Sequence, residues 1–413
     1  MNNIHYIDTH ESNRETILSF FLIILLLTSS DTLLFGTNSN ELFGYVPRIL
    51  GTIFVMWVIL VKGLKRINYS NNKTLCFVMM ISFMTVSSYI NKTPYETALS
   101  RMISVIVAYT ISNVISQKKY IEIFDNIMYF LVVIALITEV VAYVFPTLIG
   151  VLPKIVNAAD NVFFNFFVGG ISQKTLSEPF IRSSSIFWEP GAFAIYIVVA
   201  LIFQLFVVEN KSTKRCYIYL LGLFTTFSTT GFIGAIIILF VFFISGETKN
   251  SRTKLLGMFL LTCLVLFLVF GENTELYNKM FGKIINGEST AVTRIASVVN
   301  SIEIALDYPL FGVSPNNMSE YMTEYAMKSK LDLGANFMNT NTTLYQFAAF
   351  GIPFGTLFTI GTFKFFKKIS TTKMVYCGLF ISLILLYCGE LFYSFFPYVF
   401  VFYGYSKDEE LTE

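Results

Sequence analysis

Phe227-Ser-Thr-Thr-Gly231 separates two apolar runs, 215–229 and 231–246, and its reading decides the topology of the whole chain. Each run is short for crossing about 30 Å of hydrocarbon. Read as a tight turn, the stretch joins two antiparallel spans. Read as the middle of one long bent helix, it inverts the orientation of everything downstream. Glycine accepts backbone angles that other residues avoid, so Gly231 is compatible with the turn.

Further apolar runs lie on both sides, and hydropathy places spans near 16–35, 47–62, 74–90, 97–116, 122–146 and 187–208 before the next pair. After that pair come 255–271, 340–362, 374–390 and 391–405, making about twelve in all. The first follows a polar tail without a small-x-small cleavage site and reads as an uncleaved span. Composition agrees: 54% of the 413 residues are hydrophobic, 14% are charged and the mean hydropathy is +0.64. Soluble domains carry about 25% charged residues. The expectation is an all-α polytopic membrane protein forming a single integral membrane domain over residues 1–413.

Lysine and arginine orient these spans. The basic connections 62–73, 117–120, 209–215, 247–254 and 363–373 all fall on one side if the N-terminus is cytoplasmic. The connections 36–46 and 91–96, on the other side, hold Lys92 as their only lysine. This agreement requires the turn at Thr230-Gly231. Two long connections, about 147–186 and 272–339, then lie outside the membrane.

Several chemistries are disfavoured by what the chain lacks. The net charge of +2 gives no argument for nucleic acid. Both histidines, His5 and His10, sit in the N-terminal tail, leaving none for acid–base or metal work in the body. The cysteines Cys76, Cys216, Cys263, Cys377 and Cys388 lie in or beside apolar runs, with no disulfide framework and no metal-ligand spacing. No metal or cofactor is expected.

The chemistry concentrates in the two long loops. The first carries Arg182-Ser-Ser-Ser-Ile-Phe-Trp-Glu189-Pro-Gly-Ala-Phe193. Pro190 suits the first position of a helix, so Glu189 falls at or beside the N-cap, where free N–H groups and the dipole favour an anion. Arg182 adds a charge-assisted fork suited to phosphate, and Glu189 is the candidate base for an acceptor hydroxyl. A helix cap with a rim ion pair is the plainer alternative. In the second loop Arg294 opens a stretch that puts Ile295, Val298, Val299, Ile302 and Leu306 on one helical face. Such a helix lies on the membrane surface or across the bundle mouth, unless it is ordinary loop packing.

Asp31, Arg48, Arg101, Glu139 and Glu390 fall within the predicted spans, all towards the loop-bearing side. Charges at that depth face a cavity or a partner. Arg48 reads as a snorkelling side chain, Arg101 as a substrate or pairing group, and the two glutamates as arginine partners. Trp188, Tyr308, Tyr321 and Tyr325 are placed where a sugar could stack, and interfacial belts account for them equally well.

Four segments carry a family resemblance. Arg182 through Phe193 resembles the Arg…Phe-x-Glu-Pro-Gly stretch of polysaccharide polymerases, and Phe227-Ser-Thr-Thr-Gly231-Phe-Ile-Gly-Ala resembles a Ser/Thr-x-Ser-Arg-Gly-Ala turn. Arg294 with Ala305-Leu-Asp-Tyr-Pro-Leu-Phe-Gly-Val313 is similar to an Arg…Pro-Leu-Phe-Gly-Val-Gly stretch. Asn341-Thr-Thr-Leu-Tyr-Gln-Phe-Ala-Ala-Phe-Gly351 resembles His-Asn-x-x-Leu-x6-Gly. In this order they resemble the O-antigen polymerase (Wzy-type) and O-antigen ligase superfamily. The resemblance implies a GT-C-like fold and metal-independent polymerisation of undecaprenyl pyrophosphate-linked repeat units at the outer face of a bacterial inner membrane. It implies a lipid-linked glycan and membrane lipid as partners, with a chain-length regulator protein as a further one. Arg182, Arg294 and Arg101 are then substrate contacts and Glu189 the catalytic carboxylate. Thr340 stands where many relatives, ligases especially, have histidine, and Thr230 where many have arginine. The missing histidine favours polymerase over ligase. A lipid-linked oligosaccharide flippase is the rival of another class, for which internal repeats and short loops on both sides are expected.

Overall fold

The computed structural model describes residues 4–36, 41–62, 71–149, 151–156, 162–164, 169–173, 181–209, 211–245, 289–328 and 339–407. The expected span at 255–271 lies outside them, as do Cys263 and most of the basic connections 62–73 and 247–254.

The chain is mostly helical. In order come α1 (Ile4–Leu27), α2 (Leu33–Gly36), α3 (Glu41–Lys62), α4 (Asn71–Ile90), α5 (Tyr95–Val114), α6 (Gln117–Val144) and α7 (Pro146–Ile149). After a small sheet follow α8 (Pro190–Phe206), α9 (Thr213–Thr225) and α10 (Thr229–Ile244). The remainder is α11 (Ser289–Asp307), α12 (Ser314–Lys328), α13 (Thr342–Phe350), α14 (Ile352–Ile369), α15 (Lys373–Tyr387) and α16 (Phe396–Tyr405). Among the described residues four helices, α3 to α6, are long and apolar enough to cross a bilayer. Apolar helices at Thr16–Leu27, Pro190–Phe206, Thr229–Ile244 and Lys373–Tyr387 are shorter. This is a multi-pass membrane protein.

Burial explains the layout. Every residue of α8 is buried, from Pro190 to Phe206. A helix that is apolar all round needs neighbours all round, and α6, α9, α10, α15 and the sheet supply them. At the periphery α3 and α4 leave Ile49, Ile53, Met56, Leu60, Leu75 and Val78 exposed, as lipid-facing helices should. Helices α14 and α16 approach so closely that a Cβ on Gly404 would overlap the Gly361 carbonyl.

Three span expectations are corrected, and the mostly helical, all-α chain carries one addition. The addition is a four-stranded antiparallel sheet in the first long loop: β1 (Lys154–Val156), β2 (Val162–Phe164), β3 (Gly170–Gln173) and β4 (Arg182–Ser185), in that spatial order. Its Phe164 and Ile171 pack on Ala142 of α6, so the sheet is anchored to the bundle. The expected span 16–35 stops at Leu27, because Ser29 and Thr32 divert the backbone into turns. The expected span 340–362 is two helices broken at Gly351, whose φ of 92° and ψ of 165° lie in a region essentially reserved for glycine. The last two expected spans are parted by a buried, non-helical segment, 388–395, so Glu390 is in a connection and not in a helix.

The break between α9 and α10 is real, but Gly231 is not its pivot. Phe227 takes the positive φ, at 47°, while Ser228 caps α10 by accepting from the Gly231 N–H at 3.3 Å. Gly231 matters for packing, since a Cβ there would sit 2.7 Å from that of Ala194 on α8.

Helix α11 is turned inside out relative to a soluble surface helix. Its polar face, Ser297, Asn300 and Ser301, is buried, whereas Ile295, Val299, Ile302 and Leu306 are exposed. Asn300 donates to the Met322 carbonyl at 3.3 Å and Asn339 to Ser301 at 3.3 Å, so the inward face is bound by hydrogen bonds. An outward apolar stripe of this kind suits a helix lying at the lipid boundary.

Two outcomes follow. Gly351→Ala should lower the thermal unfolding midpoint, since a non-glycine residue in that conformation costs about 1–3 kcal/mol. Gly44→Ala, where nothing lies within 4 Å of the added Cβ, should leave it unchanged or raise it. A nitroxide at Leu306, in protein reconstituted into lipid, should be relaxed more by oxygen than by a water-soluble nickel reagent. The reverse ratio would put the stripe in water.

Candidate functional site

The site lies at the end of the bundle where α5, α8, α10 and α16 begin and α1, α6, α9 and α15 finish. At the opposite end Asp125 of α6 accepts from Gln204 (2.7 Å), Tyr219 (2.7 Å) and Arg215, a satisfied network that ties α6, α8 and α9 together. The described cysteines Cys76, Cys216, Cys377 and Cys388 are free thiols.

Arg182 opens β4, and the sheet sets where it points. Its Nε donates to the Thr226 carbonyl at 3.0 Å and its guanidinium reaches the Phe227 carbonyl at 3.4 Å. Strand β4 then runs through buried Ser183, Ser184 and Ser185 to Glu189. Glu189 is the N-cap of α8 with extended backbone, its side chain makes no capping bond, and proline follows. Arg294, in the first turns of α11, donates to Thr230 Oγ1 at 3.0 Å. The two arginines, 112 positions apart in a chain of 413, are thus held by one five-residue turn, Thr226 to Thr230.

Glu390 completes the arrangement. Its carboxyl oxygen Oε1 stands 4.0 Å from the Arg294 guanidinium and has no hydrogen-bond partner. It also packs against the backbone of Gly191, so closely that a Cβ there would overlap it. The resident carboxylate therefore occupies the positive N-terminal end of α8, where an anion is favoured. Burial pushes its pKa well above the ordinary carboxylate range; Glu189 adds to the rise, while Arg294, Arg182 and the Trp188 N–H oppose it.

The segment carrying Glu390 is clamped by the residues that follow the second long loop. Thr342 donates to the Glu390 carbonyl at 2.6 Å and accepts from the Phe392 N–H at 2.9 Å. Asn341 caps α13, accepting from the Leu344 N–H at 2.8 Å, and its amide contacts Cys388 Sγ at 3.3 Å. The Thr340 N–H donates to Ser297 Oγ of α11 at 3.0 Å. Ser394 and Tyr196 both donate to Asp31, binding the far end of the segment to α8 and to the turn after α1.

Arg182, Arg294 and Glu189 are brought together around Glu390. Arg101 is on the other flank of the same segment, its guanidinium carbon 3.5 Å from the centre of the Tyr393 ring. Glu139 faces no arginine here; its side-chain partner is Thr225. Tyr308 and Tyr321 pack edge to face with ring centres 5.2 Å apart, and Tyr325 is bonded to Asp307, so these rings hold α11 to α12. An open depression on α12, bounded by Asn316, Glu320, Glu324 and Lys328, includes none of the arginines. Glu390 stands beside an arginine, as its reading as an arginine partner expects; its closeness to Glu189 and to the start of α8 is what that reading lacked. The signal available was a lone carboxylate after Cys388-Gly389, a helix-breaking pair at the end of an apolar run.

Chemically, two guanidinium groups and a helix N-terminus can hold a phosphate-bearing ligand and stabilise charge developing on a leaving group. Glu390 stands beside the same donors. Protonated, it leaves the arginines to a ligand; as pH rises through its elevated pKa it ionises and competes for them. The affinity of the purified protein for inorganic pyrophosphate, relative to that of Glu390→Gln, should therefore fall as pH rises. An unchanging ratio across that range would rule out the competition.

Searches of curated proteins and of solved structures return no match to this chain. Residues 216–359, which span the Thr226–Thr230 turn, Arg294 and the Thr340–Thr342 clamp, match the family model described as O-Antigen ligase, consistent with membership of the O-antigen polymerase and ligase superfamily.

Proposed function

We propose that this protein polymerises undecaprenyl pyrophosphate-linked oligosaccharide repeat units at the outer face of a bacterial inner membrane. The observation that carries the reading is the convergence of Arg182 and Arg294, from two separate loops, on one turn and one helix N-terminus. The reaction transfers a growing glycan from its lipid pyrophosphate to a hydroxyl of the next lipid-linked unit. Arg182 and Arg294 neutralise charge on the departing pyrophosphate, and Arg101 is a further substrate contact. Glu189 takes the proton of the attacking hydroxyl, which needs neither a metal nor a histidine. The reading carries with it a twelve-span, GT-C-like architecture with a cytoplasmic N-terminus and, for chain-length control, a separate regulator protein.

The family description, O-Antigen ligase, favours a second reading, in which finished glycan is moved to another acceptor. Thr340 argues against it. Where the resemblance implies a ligase histidine, this chain has a threonine whose N–H and hydroxyl face Ser297 and the Cys388 carbonyl.

A deletion strain should display single repeat units on its surface glycan, and wild-type protein should restore a ladder. Arg182→Ala and Arg294→Ala should each fail to restore it while remaining in the membrane. Loss of one charge-assisted contact corresponds to roughly 1.5–3 kcal/mol, or about 10- to 100-fold in rate. Full ladders from both variants would remove the arginines from the site. Complete loss of surface glycan in the deletion strain would point to ligation or flipping.

A further inference from the structure

Arg48 of α3 and Arg101 of α5 form a second cationic pair, separate from the one on Arg182 and Arg294. Packing sets them level. Gly51 of α3 is pressed against α5, its added Cβ falling 2.9 Å from Val107 and 3.2 Å from Ile103. Arg48 lies three residues before Gly51, Arg101 two before Ile103 and six before Val107, and the Arg101 charge acts on Arg48. Among the described residues neither has a carboxylate within ion-pair distance, and Glu96 acts on Arg48 only from further off. Their neighbours are aromatic: Arg48 lies 5.1 Å from the Tyr45 ring centre and Arg101 3.5 Å from that of Tyr393.

Two polar atoms at this place have no partner. Arg101 Nε is shielded from solvent and unbonded, and so is the hydroxyl of Tyr345, whose ring meets Tyr393 edge to face at 5.7 Å. Adjacent like charges at the end of a membrane bundle are costly without a counter-ion. Unbonded buried donors add about 1–3 kcal/mol each. An anion that accepts from Arg101 and Tyr345 removes both costs.

We propose that Arg48, Arg101 and Tyr345 are a second seat for a lipid-borne pyrophosphate, that of the acceptor unit, distinct from the Arg182–Arg294 seat. This inference rests on the polymerase reading for the identity of its ligand. Position supports it. Tyr393 and Glu390 are three residues apart on one clamped segment, at most roughly 10 Å of chain, so the two seats flank a single backbone strip. Ser104 of α5 fixes the near side of that strip by donating to the Tyr393 carbonyl at 3.0 Å. Two lipid-linked units seated there would present donor and acceptor sugars to one another, with Glu189 on the donor side.

The test is a binding titration of the full-length protein in phosphatidylcholine nanodiscs with farnesyl pyrophosphate. Wild type should take up two equivalents. Arg48→Gln/Arg101→Gln and, as a milder change, Tyr345→Phe should lose or weaken one of them; Arg182→Gln/Arg294→Gln should lose the other. The equivalent that each variant retains reports that it is folded. A single equivalent in wild type, removed by the Arg182/Arg294 changes alone, overturns the second seat. So does a second equivalent that disappears when phosphatidylglycerol is added, since the seat would then serve phospholipid headgroups. Two equivalents divided as described, in a protein whose deletion leaves surface ladders intact, would uphold the seat and remove the polymerase reading.

Discussion

A carboxyl group almost fully removed from solvent, with one oxygen left without a hydrogen bond, is tolerable only where positive potential surrounds it. Glu390 obtains that potential from the N-terminus of α8, from Arg294 at 4.0 Å and from Arg182. The dependence runs both ways. Arg294 and Arg182 oppose the cost of burying that carboxyl, and the carboxyl in turn stands 4.0 Å from Arg294. The end of the bundle therefore assembles around a buried carboxyl group.

Two short motifs make this possible. The turn between α9 and α10 offers carbonyls and a hydroxyl to the arginines, so that Thr226, Phe227 and Thr230 fix guanidinium groups arriving from opposite sides. Thr230 stands where the family resemblance implies an arginine, and Arg294 reaches into that position from α11. The Thr340–Thr342 stretch fixes the other component, tying the Glu390 segment to the start of α13 with bonds of 2.6 and 2.9 Å. Neither motif carries an ionisable group. Their contribution is to hold the charged residues of other elements in place, as preorganised electrostatic sites require.

The membrane end of the molecule is organised around the 388–395 segment as a whole. One flank faces α8, α10 and α11; the other faces α5 through Tyr393. Helix α11 takes part on both counts, because its buried polar face carries Arg294 and the Ser297–Asn339–Ser301 bonds while its apolar stripe faces outward. The same helix thus sets the position of a cation and the level of the lipid boundary.

The multi-pass character was legible in the sequence, and the spans read at 47–62, 74–90, 97–116 and 122–146 fall on α3 to α6, because a run of apolar side chains long enough for the bilayer has few other uses. Arg182, Arg294 and Glu189 were legible as candidates, because arginine beside a proline-started helix has a local electrostatic meaning. The interruptions at Gly351 and 388–395 were not: they are set by hydrogen bonds to distant elements, such as Ile352 to Pro309 and Thr342 to Glu390 across 48 positions. The sheet in the first loop escaped notice for a similar reason, since its strands are three or four residues long and gain their burial only against α6. By itself the sequence determined that the chain lives in a membrane and which charged groups it keeps at one end. Only the tertiary structure decided that these groups meet around Glu390, because convergence depends on contacts between residues far apart in the chain, and periodicity and composition carry no information about those.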